Sequence, residues 1–290
     1  MSISNDALAQ SYLERIGYYR LSGYWYPYRR SATDDNFKND ADFSEVLALY
    51  VFDKKLRLLF LDVIERIEIA LRVRITLELG QIGPLAHRDP NALHGNFTLK
   101  RNPKTLRTKH QDWLDRHDAA FAKSKEEFVK HFKSKYPGEY PPLWIAAEIW
   151  DFGTMSTLFS GLKKKDQTTI AAAFNVHSFR VMESWLHAIN LARNVCAHHS
   201  RFWNKVNAIQ PAWPPSQGHQ SLAHISNNTH AQARLYGVAL ICAYLLQSIN
   251  PNSTWKDRFK ELIAQFPISN TIKLSSAGFP ARWENEAIWN

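Results

Sequence analysis

Apolar residues recur at three- and four-residue steps through the longest patterned stretch of the chain, residues 43–80. This spacing places them on one side of an α-helix, and it predicts one long core helix or two helices joined by a bend. Ser44 is the expected N-cap, and Gly80 is the expected end. Glu68 and Arg72 lie four residues apart in the order that favours an ion pair on a helix. The positions expected to face the core are Val46, Leu49, Tyr50, Leu56, Leu59, Phe60, Val63 and Ile67.

Other helical patterns alternate with stretches rich in proline, glycine or asparagine. Gly17, Gly23 and Pro27 interrupt the aromatic N-terminal segment, and 203–220 is an expected loop. No stretch keeps the two-residue period of a strand for long enough to impose a sheet. The simplest architecture is therefore an all-α helical bundle. Its further helices are expected over residues 113–136, 141–161, 178–200 (capped by Ser178), 230–249 and 253–266.

Positive charge is concentrated in one part of the chain. Lys and Arg number 36 and Asp and Glu number 27 among 290 residues, so the net charge is +9. Between His87 and Tyr136, twelve basic residues occur against six acidic ones, an excess of six. We expect residues 83–142 to be a basic insertion in a helical domain over 1–250, with 251–290 as a C-terminal helix and tail. Such a balance favours an anionic partner, most often nucleic acid, although a charge-rich helix is also ordinary solvated surface.

Cysteine usage and hydropathy are typical of a protein of the cytosol. Only Cys196 and Cys242 occur, which is too few for a disulfide framework. The N-terminal segment MSISNDALAQSYLERIGYYR lacks the apolar core of a signal peptide. The most apolar run, from Leu235 to Leu246, is shorter than the ~20 residues that a bilayer requires. We therefore expect a cytoplasmic protein with no membrane partner.

The sequence lacks the usual signatures of cofactor and metal sites. It contains neither glycine-rich nucleotide-binding motif, and neither the HExxH nor the CxxC pair of metal sites. His187, Cys196, His198 and His199 could be considered as zinc ligands, but their spacing matches no usual pattern. Carboxylates are scattered singly, which disfavours a magnesium-dependent nuclease. We expect no metal and no cofactor.

The segment LARNVCAHHSRFWN, residues 191–204, collects polar side chains at the end of an apolar helix. Asn194 and His198 are four residues apart, so they share a helix face. Arg193 and His198 are five apart, which is about 140° around a straight helix. They therefore meet if the arginine swings around the helix, or if the helix ends near Ala197. A histidine at a helix C-terminus is also a common structural feature, so the spacing alone leaves both interpretations open.

These residue types fit the cleavage of RNA without a metal. An imidazole titrates near neutral pH, so it can accept the proton of the 2′-hydroxyl or deliver one, which typically contributes about 10²–10⁴-fold to the rate. The guanidinium of Arg193 is always charged, and its planar fork matches two phosphate oxygens. Asn194 could hydrogen-bond the ribose or fix the tautomer of the imidazole.

Four sequence blocks occur in order between residues 18 and 204. They are YYRLSGYWYPYR at 18–29, LYVFDKKLRLLFLDVIERIEIALR at 49–72, PPLWIAAEIWDFGTMSTLF at 141–159 and LARNVCAHHSRFWN at 191–204. In these blocks the chain resembles the Abi family of bacterial abortive-infection proteins, the AbiD/AbiF-like group. That family is similar to the HEPN superfamily of helical ribonucleases. Those enzymes often carry an R-x(4–6)-H motif, need no metal and commonly pair two motifs across a dimer.

The resemblance implies a fold, an activity and a set of site residues. The fold is a HEPN-like helical bundle, and the activity is a ribonuclease of phage defence that leaves a 2′,3′-cyclic phosphate. The motif falls on Arg193, Asn194 and His198 as catalytic residues, and His199 also satisfies the permitted spacing. Because the chain carries one clear copy of the motif, the resemblance implies a homodimer with a composite site and RNA as the substrate.

Three other residues are candidates for a supporting role. Glu148 could orient Arg193 or His198, or it could be an ordinary carboxylate at the edge of the core. Arg20 and Arg201 are candidate RNA contacts. Arg20 belongs to an aromatic stretch whose rings could stack on bases, although such rings more often form a core or a dimer interface.

Alternative functions remain open at the level of sequence. A non-catalytic protein that holds a small structured RNA would use the same basic charge, and its RNA binding would survive the change His198→Ala. A toxin-like component of a toxin–antitoxin pair, restrained by a regulatory RNA or an antitoxin, is a related alternative. A helical module that senses a phage protein, with a purely structural motif, is the third.

Overall fold

A computed structural model describes residues 1–31, 33–215 and 219–290 of the chain. Within these residues the chain forms helices, turns and isolated β-bridges, and no strand, so the all-α prediction is confirmed. The α-helices are α1 (Asp6–Ile16), α2 (Tyr18–Trp25), α3 (Phe43–Gly80), α4 (Gly95–Thr98), α5 (Lys109–Lys123), α6 (Glu127–Lys135), α7 (Leu143–Ala146), α8 (Phe152–Gly161), α9 (Lys164–Ala173), α10 (Phe179–Ala197), α11 (Thr229–Gln232), α12 (Leu235–Ile249) and α13 (Trp255–Ala264).

The chain divides into two compact units. The first unit consists of Met1–Ile64, Leu191–Tyr244 and Asn252–Asn290. The second consists of Glu65–Asn190 and Leu245–Pro251, so it contains the whole basic insertion predicted from the sequence. The predicted domain boundary at residue 250 stays a prediction.

Helix α3 is continuous over 38 residues, which is the single-helix alternative of the sequence analysis. Its cap differs from the prediction, because the helix begins at Phe43 and Ser44 already lies inside it. The carboxylate of Asp42 accepts a hydrogen bond from the Ser44 amide at 2.7 Å, and it stabilises the positive end of the helix dipole. Of the predicted core positions, Tyr50 and Leu59 are half-buried and the other six are buried.

The helix predicted over 113–136 is wrong in its extent, because two helices replace it. Helix α5 begins four residues earlier, where Thr108 and Gln111 form a capping box. The helical pattern then stops for the three residues 124–126, and α6 follows. The Ser124 side chain accepts a hydrogen bond from the Glu126 amide at 3.3 Å, a local bond that competes with helix continuation.

The stretch predicted as one helix over 141–161 is also interrupted. Helix α7 continues into a short 3-10 helix, and the chain then turns at Asp151. The Asp151 carboxylate accepts a hydrogen bond from the Thr154 amide at 2.7 Å and caps α8, so a strong N-cap explains the break.

The Glu68–Arg72 ion pair predicted on α3 is present, at 3.5 Å. Helix α9 has no counterpart among the predicted helices.

Near the N-terminus, two of the three predicted helix breakers act as expected. Gly17 separates α1 from α2 with a φ of 88°, a conformation that favours glycine. Pro27 lies in a 3-10 helix that follows α2. Gly23 lies inside α2, so its prediction as a breaker is wrong.

The buried helix predicted near 230–249 is α12, in which most residues are buried, but it begins at Leu235, and the short helix α11 precedes it. Among the described residues, no helix combines the length and the apolar character needed to cross a membrane. The predicted loop 203–220 has no helix from 203 to 215, and residues 216–218 of it lie outside the described residues.

Candidate functional site

The last turn of α10 carries the motif found in the sequence. The helix forms because apolar residues follow its period, and five of them are buried on the side that faces the core. Those positions are Val181, Trp185, Leu186, Ile189 and Ala192. Arg193 and Asn194 come directly after this stripe and are half-buried, whereas His198 and His199 lie beyond the helix end and are exposed.

A specific C-terminal cap ends α10 between the two halves of the motif. The Ser200 amide donates to the Val195 carbonyl at 3.0 Å, and the His199 amide donates to the Cys196 carbonyl at 3.1 Å. This pair of bonds is the Schellman motif, which needs one residue in the left-handed conformation. His199 takes that conformation with a φ of 56°, at a position where glycine is usual. The sequence-based alternative in which the helix ends near Ala197 is therefore the observed one.

The motif side chains are available for a ligand. Within the described residues, Arg193, Asn194 and His198 have no side-chain hydrogen bond or ion pair to the protein. An arginine that has no carboxylate partner keeps its donors for an external anion, and phosphate is the anion its fork fits best. The arrangement therefore offers a cation, an amide and an imidazole close together along the chain.

A buried polar cluster anchors the backbone that follows the motif. The carboxylate of Asp53 accepts hydrogen bonds from the amides of Phe202 at 3.0 Å and Trp203 at 2.8 Å. It also accepts from the Arg57 guanidinium and from the Tyr24 hydroxyl, both at 2.6 Å. Asp53 and Arg57 are one helical turn apart on α3, and both are buried. We call Tyr24, Asp53 and Arg57 the anchor cluster.

The anchor cluster is arranged to hold a charge in the interior. Burial raises the pKa of the Asp53 carboxyl, and the hydrogen bonds and the positive charge around it act in the opposite direction. Burial also raises the pKa of Tyr24, so its hydroxyl remains a donor. A buried charge with this many donors is costly to leave unpaired. The cluster therefore fixes the chain that leaves α10.

The two arginines predicted to bind RNA are used on the protein backbone. A guanidinium nitrogen of Arg20 donates to the His199 carbonyl at 2.7 Å, at the left-handed residue of the cap. Arg201 donates to the carbonyl of Gly23 in α2. Both bonds support the segment that carries His198. Whether either arginine also binds RNA stays a prediction.

Glu148, predicted as a possible partner of the motif, lies in the second unit with 55% of its side chain exposed. Its carboxylate is 3.6 Å from the guanidinium of Arg72. Arg72 also donates to the Trp150 carbonyl at 3.0 Å. The observed role of Glu148 is thus an ion pair at the surface.

A cavity of about 320 Å³ opens beside the motif in the first unit. Its wall is built from the last two turns of α10 and from the segment 200–208. Asn194 and His198 both line it, so the structure brings these two predicted residues to one surface. A volume of this size lies at the lower end of the range for small-molecule sites.

Cys196 is buried in the same helix turn. Burial raises the pKa of its thiol to about 12, so the reactive thiolate is scarce at neutral pH. Cys196 is therefore part of the buried side of α10. Among the described residues, no group of three or more His, Cys, Asp or Glu side chains is arranged to hold a metal ion.

The second unit contains a histidine group that the sequence analysis did not identify. His87, His110 and His117 are each less than 4% exposed. The ring centroids of His87 and His117 are 5.6 Å apart, and Trp113 stacks on His117 at 5.4 Å. Burial lowers the pKa of His87 to about 3 and that of His117 to about 4. We call these three residues the buried histidine group.

The sequence contains signals for both the anchor cluster and the buried histidine group, neither of which was predicted. Asp53 and Arg57 occupy the core-facing side of a helix otherwise filled with apolar residues, and charges there are rarely unpaired. His110, Trp113 and His117 follow helical spacing, which is a core pattern once histidine is counted as apolar.

Comparison with known proteins gives one match. The model of the Abi-like protein family matches residues 11–204, which are more than half of the chain. In the comparisons with curated proteins and with solved structures, nothing matches. That family indicates a role in abortive infection, a bacterial defence against phage. On the extent of this match, the chain belongs to the Abi-like protein family.

Proposed function

We propose that this chain is a metal-independent endoribonuclease of bacterial phage defence. The 2′-oxygen of the RNA attacks the adjacent phosphorus, and the bond from phosphorus to the 5′-oxygen breaks. The 2′-hydroxyl loses one proton and the departing 5′-oxygen gains one, so the products are a 2′,3′-cyclic phosphate and a 5′-hydroxyl. His198 moves a proton, Arg193 holds the scissile phosphate and Asn194 orients the ribose or the imidazole. The activity belongs in the cytoplasm.

One observation carries this proposal: three side chains suited to RNA cleavage lie unpaired on a rigidly held helix end. Arg193, Asn194 and His198 have no protein partner among the described residues, although the backbone around them is anchored. Preorganised donors aimed at developing charge are usually the largest contribution to catalysis.

The direct test is cleavage of RNA by purified protein in excess EDTA. We expect cleavage to persist, and the new ends to be a cyclic phosphate and a 5′-hydroxyl. His198→Ala should reduce the rate by about 10²–10⁴-fold, because proton transfer by a placed side chain contributes that much. Arg193→Lys should also impair cleavage, since an ammonium keeps the charge but loses the fork. The exposed His131 in α6 provides the matched control, His131→Ala, which should cleave normally.

Two outcomes would overturn the proposal. Loss of cleavage in EDTA would exclude the metal-independent mechanism. Undiminished cleavage by His198→Ala and Arg193→Ala would exclude the assigned residues. Circular dichroism spectra and unfolding midpoints of each variant establish that a lost activity is not a lost fold.

We also propose a homodimer with a composite site, because the chain carries a single copy of the motif. Separately inactive Arg193→Ala and His198→Ala chains should regain activity when they are mixed and allowed to exchange subunits, since one site per mixed dimer is then intact. A monomer by sedimentation, or no regain of activity, would contradict the composite site and would leave a site within one chain.

A non-catalytic RNA-binding protein is the second candidate, and the charge of the second unit supports it. In the segment from His87 to Tyr136, nine basic residues are exposed and form no salt bridge: Lys100, Arg101, Lys104, Lys109, Arg116, Lys123, Lys125, Lys130 and Lys135. Such a surface binds phosphates in a salt-dependent manner. Binding that survives His198→Ala, with no cleavage of any RNA and with co-purification of a discrete RNA, would favour this candidate or an RNA-restrained toxin.

A further inference from the structure

The cavity beside His198 has an apolar wall with a few polar groups at defined positions. Leu191, Val195, Phe202 and Val206 supply apolar side chains, and Asn194, His198 and Asn207 supply polar ones. Lys205 also lines the cavity and is exposed. An apolar wall with convergent polar groups and one cation is suited to a flat, polar-edged ligand next to an anion.

Asn207 is the informative residue of this wall. Its backbone amide donates to the Ala233 carbonyl at 2.8 Å, which fixes the residue in place. The side-chain nitrogen of Asn207 is buried and has no hydrogen-bond partner within the described residues. Buried donors in folded proteins almost always have a partner, because an unmade hydrogen bond is costly. Asn207 lines the cavity although this nitrogen is enclosed, so a rotation of its amide group would turn the donor toward a ligand that supplies the acceptor.

Nucleobases match this description. Each base has two apolar faces and an edge on which donors and acceptors alternate, and the asparagine amide pairs with such edges two bonds at a time. Proteins that read RNA sequence do so mainly on unpaired bases, which they unstack and hold in pockets. His198 lines the same cavity, so a base bound there brings its own ribose and phosphate close to the proposed catalytic residue.

We propose that this cavity holds one unstacked base of a single-stranded RNA, with the Asn207 amide on the edge of the base and Lys205 on a neighbouring phosphate. The proposal rests on the proposed ribonuclease function and adds the substrate class. It makes Asn207 a specificity-determining residue. Cleavage is then confined to unpaired nucleotides and depends on the base that enters the cavity.

The test measures binding and cleavage separately. In the His198→Ala background, which removes cleavage, the affinity for single-stranded A, C, G and U oligonucleotides of equal length is measured. We expect at least about a tenfold preference for one base, since a paired edge typically discriminates by that much or more. Asn207→Asp removes the donor at nearly constant shape, and it should abolish the preference. Asn252→Asp makes the same charge change at an exposed loop position and should leave the preference intact.

Lys205→Gln separates phosphate binding from base recognition. It should weaken binding of all four oligonucleotides to the same extent and should lower the salt dependence of binding. Cleavage of a mixed-sequence RNA by the otherwise unchanged protein should occur after one base in unpaired regions. The Asn207→Asp protein should cut at all four bases.

The outcomes distinguish the subsite from the ribonuclease. Cleavage without base preference, or a preference unchanged by Asn207→Asp, overturns the subsite and leaves the ribonuclease standing. Base preference that depends on Asn207, without cleavage of any RNA, supports the subsite and overturns the ribonuclease. If His198→Ala does not fold, His198→Gln serves in its place, and the cleavage maps decide alone if neither folds.

Discussion

His198 and His199 lie exposed at a helix end in the first unit, whereas His87, His110 and His117 are buried among aromatic rings in the second. In the first unit the fold fixes the backbone and leaves the imidazole of His198 unpaired. In the second unit the imidazoles are part of the buried core, and burial keeps them neutral at pH 7. The difference shows that the surroundings of a histidine, more than its number of histidine neighbours, decide whether it can exchange protons with a ligand.

The largest expected effect comes from changing one histidine to glutamine in each of the two units. His198→Gln should reduce cleavage by about 10²–10⁴-fold without lowering the unfolding midpoint, because the residue is exposed and unpaired. His117→Gln should lower the midpoint, because it removes an aromatic ring stacked on Trp113, but should leave cleavage per folded molecule unchanged. Rates and urea unfolding curves of both variants check this. A His117 variant that folds well but does not cleave would break the comparison.

The second largest effect should come from loss of the anchor cluster, and it should appear in the free energy of unfolding. Asp53→Ala leaves Arg57 buried without its carboxylate, together with two unpaired amides, so we expect about 3–5 kcal/mol of lost stability. Tyr24→Phe removes two hydrogen bonds from the same cluster, one to Asp53 and one from Arg57, and should cost about 2 kcal/mol. Urea unfolding measures both changes. Equal costs for the two variants would indicate that Asp53 is not the centre of the cluster.

Acid should act on the buried histidine group. The folded-state pKa of His87 is about 3 and that of His117 is about 4, both below the ordinary value of 6.5. Below pH 6.5 the unfolded chain therefore binds more protons than the folded one, and stability falls as the pH falls toward 4. By pH 4.5 the loss should be about 2–5 kcal/mol.

Unfolding free energies between pH 7 and 4.5 test this expectation. His87→Leu should flatten the pH dependence, because it removes one of the buried histidines whose pKa is lower in the folded chain than in the unfolded chain. His131→Asn, which changes an exposed histidine, should leave the slope as it is. Parallel curves of unfolding free energy against pH for the unchanged protein and both variants would refute the role of the buried histidine group.

The smallest effect should distinguish the two exposed histidines. His199 has a φ of 56°, so His199→Gly relieves a left-handed conformation and should stabilise the fold by about 1 kcal/mol. Cleavage should be retained if His198 is the proton-transferring residue. A stabilised but inactive His199→Gly protein would transfer that role to His199.

Much of the fold follows from the sequence because core positions keep a helical period over long stretches. That is why six of the eight core positions named for α3 are buried, and why α3 and α10 were predicted as helices. The breaks within 113–136 and 141–161 were not, because they depend on single local bonds at Ser124 and Asp151. Such bonds compete with the helix by small free-energy differences that apolar periodicity does not register.

The motif itself was visible because Arg193, Asn194 and His198 are close in sequence. The anchor was not, because Asp53 reaches its partners through contacts that depend on the folded chain. The roles of Arg20 and Arg201 as backbone donors were likewise beyond the sequence, since a surface arginine looks the same whether it binds RNA or a carbonyl. The sequence therefore identified the motif residues, but it did not identify the contacts that hold the backbone around them.

The hydrogen bonds from Phe202 and Trp203 to Asp53 join residues 149 and 150 positions apart. During translation these hydrogen bonds cannot form until Asp53, Phe202 and Trp203 have all emerged from the ribosome, because the residues they join are so distant in sequence. Until residue 203 has emerged, a growing chain therefore lacks the bonds that anchor the segment after α10. For a protein whose mature form would cut RNA, the helix end that carries the motif is thus anchored only late in synthesis.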